Sequence, residues 1–179
     1  MKACLFVPTF NCQSYIVDTL HDAYKNLQGR VDHIFVIDNC STDNTVQEAS
    51  SLPQSTVTIP TSIYRNTRNL GLGGSYKLQF QLAASLDFSH VCVLFGDNQG
   101  CASDLIPILD YSRTYDVDFV SASRFRNLKL LKGYSFFRTI ANVSFNCFFS
   151  LLYSRCITDL GGYGLFKVSS INTLPLNNM

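Results

Sequence analysis

Five short apolar runs punctuate the chain, at residues 3–7, 34–37, 56–59, 91–95 and 117–120, and each has the length of a buried β-strand. The runs Ile34-Phe35-Val36-Ile37 and Val91-Cys92-Val93-Leu94-Phe95 are continuously hydrophobic rather than alternating, which predicts parallel strands covered on both faces. Between the runs, residues 15–27, 42–50, 73–86 and 102–112 carry helix-compatible periodicity, with Ser41 and Ser103 placed to cap two of them. The alternation predicts a single α/β domain with a mostly parallel central sheet and helices on both faces. In open sheets of this kind ligands gather beyond the carboxyl ends of the strands. Asp38 follows the second run directly and Asp97 follows the fourth after Gly96. Either aspartate alone reads as a turn or cap residue; the two in register predict a site.

Composition narrows the picture. The 179 residues are 46% hydrophobic and 13% aromatic, enough for a continuous core. A net charge of +1 with only 15% charged residues excludes a broad polyanion-binding surface, so no nucleic-acid partner is expected. Seven cysteines occur without a C-x-x-C pair or zinc-like spacing, which fits a reduced, cytoplasmic protein. The apolar start is cut short by Pro8 and Asn11, so it reads as a first strand rather than a signal peptide. Sequons at Asn39 and Asn142 would matter only in a secreted chain. The aromatic stretch between Arg138 and Arg155 holds 16 residues and includes Asn142 and Asn146. A membrane-spanning helix needs about 20 mostly apolar residues, so this one is not expected to cross a bilayer.

Several segments carry candidate chemistry. In Val36-Ile37-Asp38-Asn39-Cys40-Ser41-Thr42-Asp43, Asp38 is placed to accept hydrogen bonds from a base or ribose, while Ser41 and Asp43 close the turn. The glycines of Asn69-Leu70-Gly71-Leu72-Gly73-Gly74-Ser75 allow close approach of backbone to ligand at a helix entry. Their spacing departs from the G-x-G-x-x-G of a dinucleotide-binding domain, and they follow the third run rather than the first. Arg65 and Arg68, just before them, are placed to meet phosphate or simply to be solvated. In Gly96-Asp97-Asn98-Gln99, the Asp97 carboxylate and Gln99 carbonyl are hard oxygen donors suited to a divalent cation. Arg138, Asn142, Asn146 and Ser150 recur every four residues and form one polar stripe on an apolar helix. That stripe either faces a ligand or bonds to neighbouring backbone.

Taken in order, these motifs resemble family 2 glycosyltransferases, from about Phe6 to Lys167. Val7-Pro8-Thr9-Phe10-Asn11 looks like the family's opening strand and loop, residues 36–45 resemble its Asp-Asp-x-Ser-x-Asp-x-Thr strand end, and residues 69–75 its Asn-x-Gly-x-Gly-x-Ala stretch. Residues 96–99 are similar to the family's metal-site segment. Ser121-Ala122-Ser123-Arg124-Phe125 resembles a segment of the polyprenyl-phosphate, or dolichol-phosphate, sugar transferase branch. Residues 157–167 resemble the Asp-x-x-Ser-Gly-Phe-Arg-x-Phe segment that closes such sites over the acceptor. Asn39 and Phe95 stand where the family carries acids.

The resemblance implies a GT-A fold and inverting transfer from a UDP- or GDP-linked sugar, with Mg2+ or Mn2+ as cofactor. The acceptor would be a polyprenyl phosphate or a growing cell-surface glycan, handled at the inner face of a membrane. It assigns donor contacts to Pro8, Thr9, Asn11, Asp38, Asn39, Asn69, Gly71, Gly73 and Asp97, and metal contacts to Asp97 and Gln99. Acceptor or phosphate chemistry falls to Asp159, Arg124 and Arg138. Residues 1–100 would be the nucleotide-binding half and 101–179 an acceptor-side half that is short at its C-terminus. Two alternatives stay open: a truncated or inactive nucleotide-sugar-binding domain, and a dinucleotide-binding Rossmann domain.

Overall fold

A computed structural model describes residues 1–123, 135–159, 164–171 and 173, with Phe136 and Arg138 described by backbone alone. The chain divides into two compact units, Met1–Val120 with Tyr163–Met179, and Ser121–Gly162.

The larger unit is built on a six-stranded sheet in the order β3-β2-β1-β4-β6-β5, and the α/β class expected from the sequence is what the chain adopts. Strands β1 (Ala3–Thr9), β2 (His33–Asp38), β3 (Thr61–Arg65) and β4 (His90–Val93) pair in parallel. β6 (Gly164–Lys167) runs antiparallel to β4, and β5 (Phe119–Ser121) closes the edge. Every residue of β1 and β4 is buried, as their unbroken apolar runs require. Cys4 and Phe6 of β1, Phe35 and Ile37 of β2, and Val91 and Val93 of β4 share one face and pack with Phe80 and Ala83 of α3 (Gly71–Ser85) and with Val168 of α6 (Val168–Ile171). Helix α1 (Ile16–Leu27) buries Ile16, Leu20, Ala23, Tyr24 and Leu27, an i, i+4, i+7, i+8, i+11 stripe. The shorter helices are α2 (Thr45–Ser50) and α4 (Leu105–Thr114).

Two sequence expectations are corrected. Residues 56–59 are not a strand. Pro53 and Gln54 accept turn bonds from Thr56 and Val57, and the third strand begins only after Pro60, whose carbonyl accepts the Ile34 N–H at 2.8 Å. Pro60 has no N–H to give a ladder, so the strand cannot run through it. Ser103 lies within a 3-10 turn ahead of α4 and makes no side-chain cap, and Ser41 bonds elsewhere, as set out below. Of the 157–167 segment, Gly164–Lys167 form β6, while residues 160–163 lie outside the described residues.

In the smaller unit, α5 (Phe136–Tyr153) ends at Ser154 in the left-handed conformation and the chain folds back along it. Asn146 Nδ2 donates to the Thr158 carbonyl at 2.9 Å, and Ser150 Oγ accepts from Ile157 N–H at 2.9 Å. Of the two roles open to the polar stripe, these residues take the bonding to neighbouring backbone. No described helix is long and apolar enough to cross a membrane.

Candidate donor-binding site

The parallel register brings three strand ends level: Thr9 of β1 lies opposite Asp38 of β2, which lies opposite Arg65 of β3. β2 and β3 extend to one side of β1 while β4 lies on the other, so the sheet changes direction between β1 and β4. That switch point is where open α/β sheets leave a crevice. A cavity of about 320 Å3 opens there. Its walls are Pro8, Thr9, Phe10 and Cys12 after β1, Asn39 after β2, Asn69, Gly71, Leu72 and Ser75 at the start of α3, and Phe95, Gly96 and Asp97 after β4.

Close packing sets the depth of the crevice. A Cβ on Gly96 would come within 2.5 Å of Thr9 Cγ2 and 3.4 Å of the Pro8 carbonyl, so only glycine lets the loop after β4 lie against the end of β1. Gly96 N–H in turn donates to Pro8 O at 3.1 Å. Asp97 follows in the wall, and its Oδ1 accepts the Gln99 N–H at 3.2 Å in a tight turn through Asn98, whose φ is +56°. Gln99 is exposed and does not line the cavity.

The loop after β2 is held by its own side chains. Asp38 is fully buried; its Oδ2 accepts Ser41 N–H at 3.0 Å, its Oδ1 accepts the Ser41 hydroxyl, and Arg65 Nε lies 3.5 Å from Oδ2. Arg65 also donates to the Ser41 carbonyl at 2.9 Å, so this arginine braces the turn. Asp43 accepts from Thr45 N–H and hydroxyl and from Gln13 N–H. Desolvation raises the Asp43 pKa, but these hydrogen bonds outweigh it and hold the carboxyl below its usual range.

Asn39 ties the β2 loop to the entry of α3. Its Oδ1 accepts Leu70 N–H at 2.8 Å and Asn66 Nδ2 at 3.1 Å, and its Nδ2 donates to Asn69 Oδ1 at 2.8 Å. Asn69 Oδ1 also accepts Gly71 N–H at 2.8 Å. Because backbone N–H groups can only donate, both amides have fixed orientations. This pattern gives a physical reason for asparagine where the family pattern has an acid: a carboxylate would turn an oxygen toward Asn69 Oδ1. Cys12 is buried, and desolvation, reinforced by the charges of Asp97, Asp43 and Asp38, raises its thiol pKa, so it stays protonated at neutral pH.

The structure thus gathers Pro8, Thr9, Asn39, Asn69, Gly71 and Asp97 of the expected donor residues around one cavity. Asp38, Asn11 and Gly73 do not line it. Asp38 is spent on its own turn, and Asn11 joins two loops, its Oδ1 accepting Thr42 N–H at 2.9 Å. Sequence reasoning missed Phe10, Cys12, Leu72 and Ser75 as wall residues; the first two adjoin the Pro8-Thr9 motif and the others interleave the glycines, which was the available signal. Asp159 is buried in the smaller unit. Arg124 lies outside the described residues, as does the side chain of Arg138.

A six-stranded α/β sheet with a crevice at its switch point, walled by apolar residues and a few polar ones, is the Rossmann-like architecture of the GT-A type. Residues 4–159 match the model of the glycosyl transferase family 2, and the chain belongs to that family. Among solved structures, a mannosyltransferase from Pyrobaculum calidifontis in complex with GDP-Man and Mn2+ is similar with a TM-score of 0.67 and 16% identity, over 97% of this chain and 46% of that one. Glucosyl-3-phosphoglycerate synthase from Mycobacterium tuberculosis, in complex with UDP, is similar with a TM-score of 0.71 and 17% identity, over 97% and 59%. TarS from S. aureus, residues 1–349 with UDP, follows with 0.61 and 18%, over 97% and 48%. The chain spans about half the length of these relatives, and at such identities the likeness is one of fold. No curated protein sequence matches.

Proposed function

We propose that the chain is the donor-binding part of an inverting glycosyltransferase that takes a UDP- or GDP-linked sugar. The observation that carries this reading is the convergence of Pro8, Thr9, Asn39, Asn69, Gly71 and Asp97 on one crevice at the switch point of a family 2 sheet. Phe10, about half exposed at the cavity wall, offers an apolar ring face against which a base can stack. Asn39 and Asn69 keep the loop beside it in one conformation, and Asp38 with Arg65 holds the neighbouring turn.

A divalent cation, Mg2+ or Mn2+, fits the residues present only in part. Among the described residues no group of three or more His, Cys, Asp or Glu could hold a metal. Asp97 supplies one hard carboxylate on the cavity wall, with the Gln99 amide two residues further on. Asp97 would hold the cation, with donor diphosphate oxygens completing the set. When bound, such a cation neutralises charge developing on the departing nucleoside diphosphate.

In this reading the acceptor is a polyprenyl phosphate or a cell-surface glycan, and the protein works in the cytoplasm at a membrane surface. Asp159 would position an anionic phosphate acceptor or deprotonate a sugar hydroxyl, and Arg124 and Arg138 would bind phosphate. These three assignments rest on motif resemblance. Residues 101–179 would then be an acceptor-side half.

A second reading, a nucleotide-sugar-binding domain without turnover, is favoured by Phe95: an apolar ring lines the cavity where the family carries an acid. Incubation with UDP- and GDP-sugars, with and without short polyprenyl phosphates and followed by mass spectrometry, separates the two. Transfer product supports the enzyme; donor binding without product supports the binding domain.

A further inference from the structure

Helix α5 is turned inside out. Asn146 on its polar stripe is buried and Ser150 half-buried, both bonded to the returning backbone, whereas Phe137, Phe148, Leu151 and Leu152 on its apolar side are 82%, 60%, 81% and 60% exposed. Val143 and Phe145 continue that exposed surface. An ordinary surface helix does the reverse, and contiguous apolar exposure of this kind marks an interaction surface.

Charge identifies the occupant. The smaller unit, residues 121–162, holds six of the chain's 14 basic residues and only Asp159 among its 13 acidic ones, for a net charge of +5. The remaining residues carry eight basic and 12 acidic groups, a net of −4. A nearly neutral chain is therefore strongly polarised along its sequence. Arg138 occurs in the first turn of α5 and Arg155 just beyond its end, so basic positions bracket the apolar helix.

We infer that α5 docks on the surface of an anionic bilayer, lying in the plane of the interface with its apolar side among the acyl chains, where the net positive charge of residues 121–162 favours anionic headgroups. Eighteen residues with Asn142 and Asn146 on one side do not span a bilayer, but they suit an interfacial helix. Basic residues near an anionic leaflet add to the apolar attraction. The inference deepens the membrane placement in the proposed function and names the surface that makes it.

The test is flotation of the 179-residue chain with vesicles of phosphatidylcholine alone and of phosphatidylcholine mixed equally with phosphatidylglycerol. The expected result is binding to the mixed vesicles, weak or no binding to the neutral ones, and a loss of about tenfold or more in Phe148→Ser/Leu151→Ser. Both side chains are exposed, so circular dichroism of this variant should match that of the wild type. Equal partition into both vesicle types, or none into either, overturns the proposal. So does a dimer, seen by light scattering, that the double substitution dissolves, because the face would then belong to a second copy. Nucleotide-sugar titration without vesicles reports on the donor site separately, so either reading can fail alone.

Discussion

The loops around the cavity and helix α5 use polar residues in opposite ways. At the strand ends, Asp38, Asn39, Ser41, Asp43 and Asn69 bond to one another and to nearby backbone, so the crevice is shaped before any ligand arrives. On α5, the amide of Asn146 and the hydroxyl of Ser150 face their own returning chain, and the apolar side is left to solvent. Preorganised loops suit a small polar ligand whose binding tolerates little rearrangement. An exposed apolar face suits a large partner. The contrast teaches that substitutions in the first region should act on stability and donor binding together, while those in the second should act on association alone.

The largest break is expected beneath the cavity. Phe35→Ala removes a buried ring that meets Phe6 at 5.5 Å and Phe88 at 5.7 Å, and should cost about 3–5 kcal/mol in chemical denaturation. Gly96→Ala should cost about 1–3 kcal/mol, because its Cβ collides with Thr9, and should weaken donor binding by displacing the cavity wall. Asn39→Asp sets a carboxylate against Asn69 Oδ1 and should cost about 1–3 kcal/mol in the same experiment, despite equal size. By contrast Leu151→Ser, on an 81% exposed residue, should change stability by no more than about 0.5 kcal/mol.

Acidity sharpens the comparison further. The Asp43 carboxyl titrates below its ordinary range in the folded chain, so its contribution to stability is present above the unfolded pKa of about 3.9 and is lost as pH falls through the lower, folded value. Thermal melts of Asp43→Asn and wild type should therefore differ at neutral pH and converge in strong acid. The smallest effect is kinetic: Cys101, Cys147 and Cys156 are exposed and should react with a thiol reagent before Cys12. Bound donor should slow the reaction of Cys12 further.

Much of this was legible in the sequence where burial wrote it plainly. The runs of β1, β2 and β4 are apolar without interruption because both of their faces are covered, and the aspartates at the end of β2 and after β4 marked the right end of the sheet. β3 was misplaced because an edge strand such as Thr61-Ser62-Ile63-Tyr64-Arg65 has little to bury, while the nearby Thr56-Val57-Thr58-Ile59 looks more strand-like yet lies between prolines. β6 was missed because Gly164-Leu165-Phe166-Lys167 is short and enters the sheet against the local chain order. At the site, residue type announced Asp38 and Asn39 equally. Only geometry shows that Asp38 serves its own turn while Asn39 stands on the wall.

The central claim is that the crevice between β1 and β4 binds a nucleotide sugar with Asp97 on its wall. Isothermal titration of wild type and Asp97→Asn with UDP- and GDP-sugars, with and without Mn2+, tests it most directly. The account predicts that one nucleotide class binds wild type, that Mn2+ tightens it, and that Asp97→Asn abolishes the Mn2+ gain. Absence of binding by every nucleotide sugar, or an Mn2+ gain that survives Asp97→Asn, would contradict it.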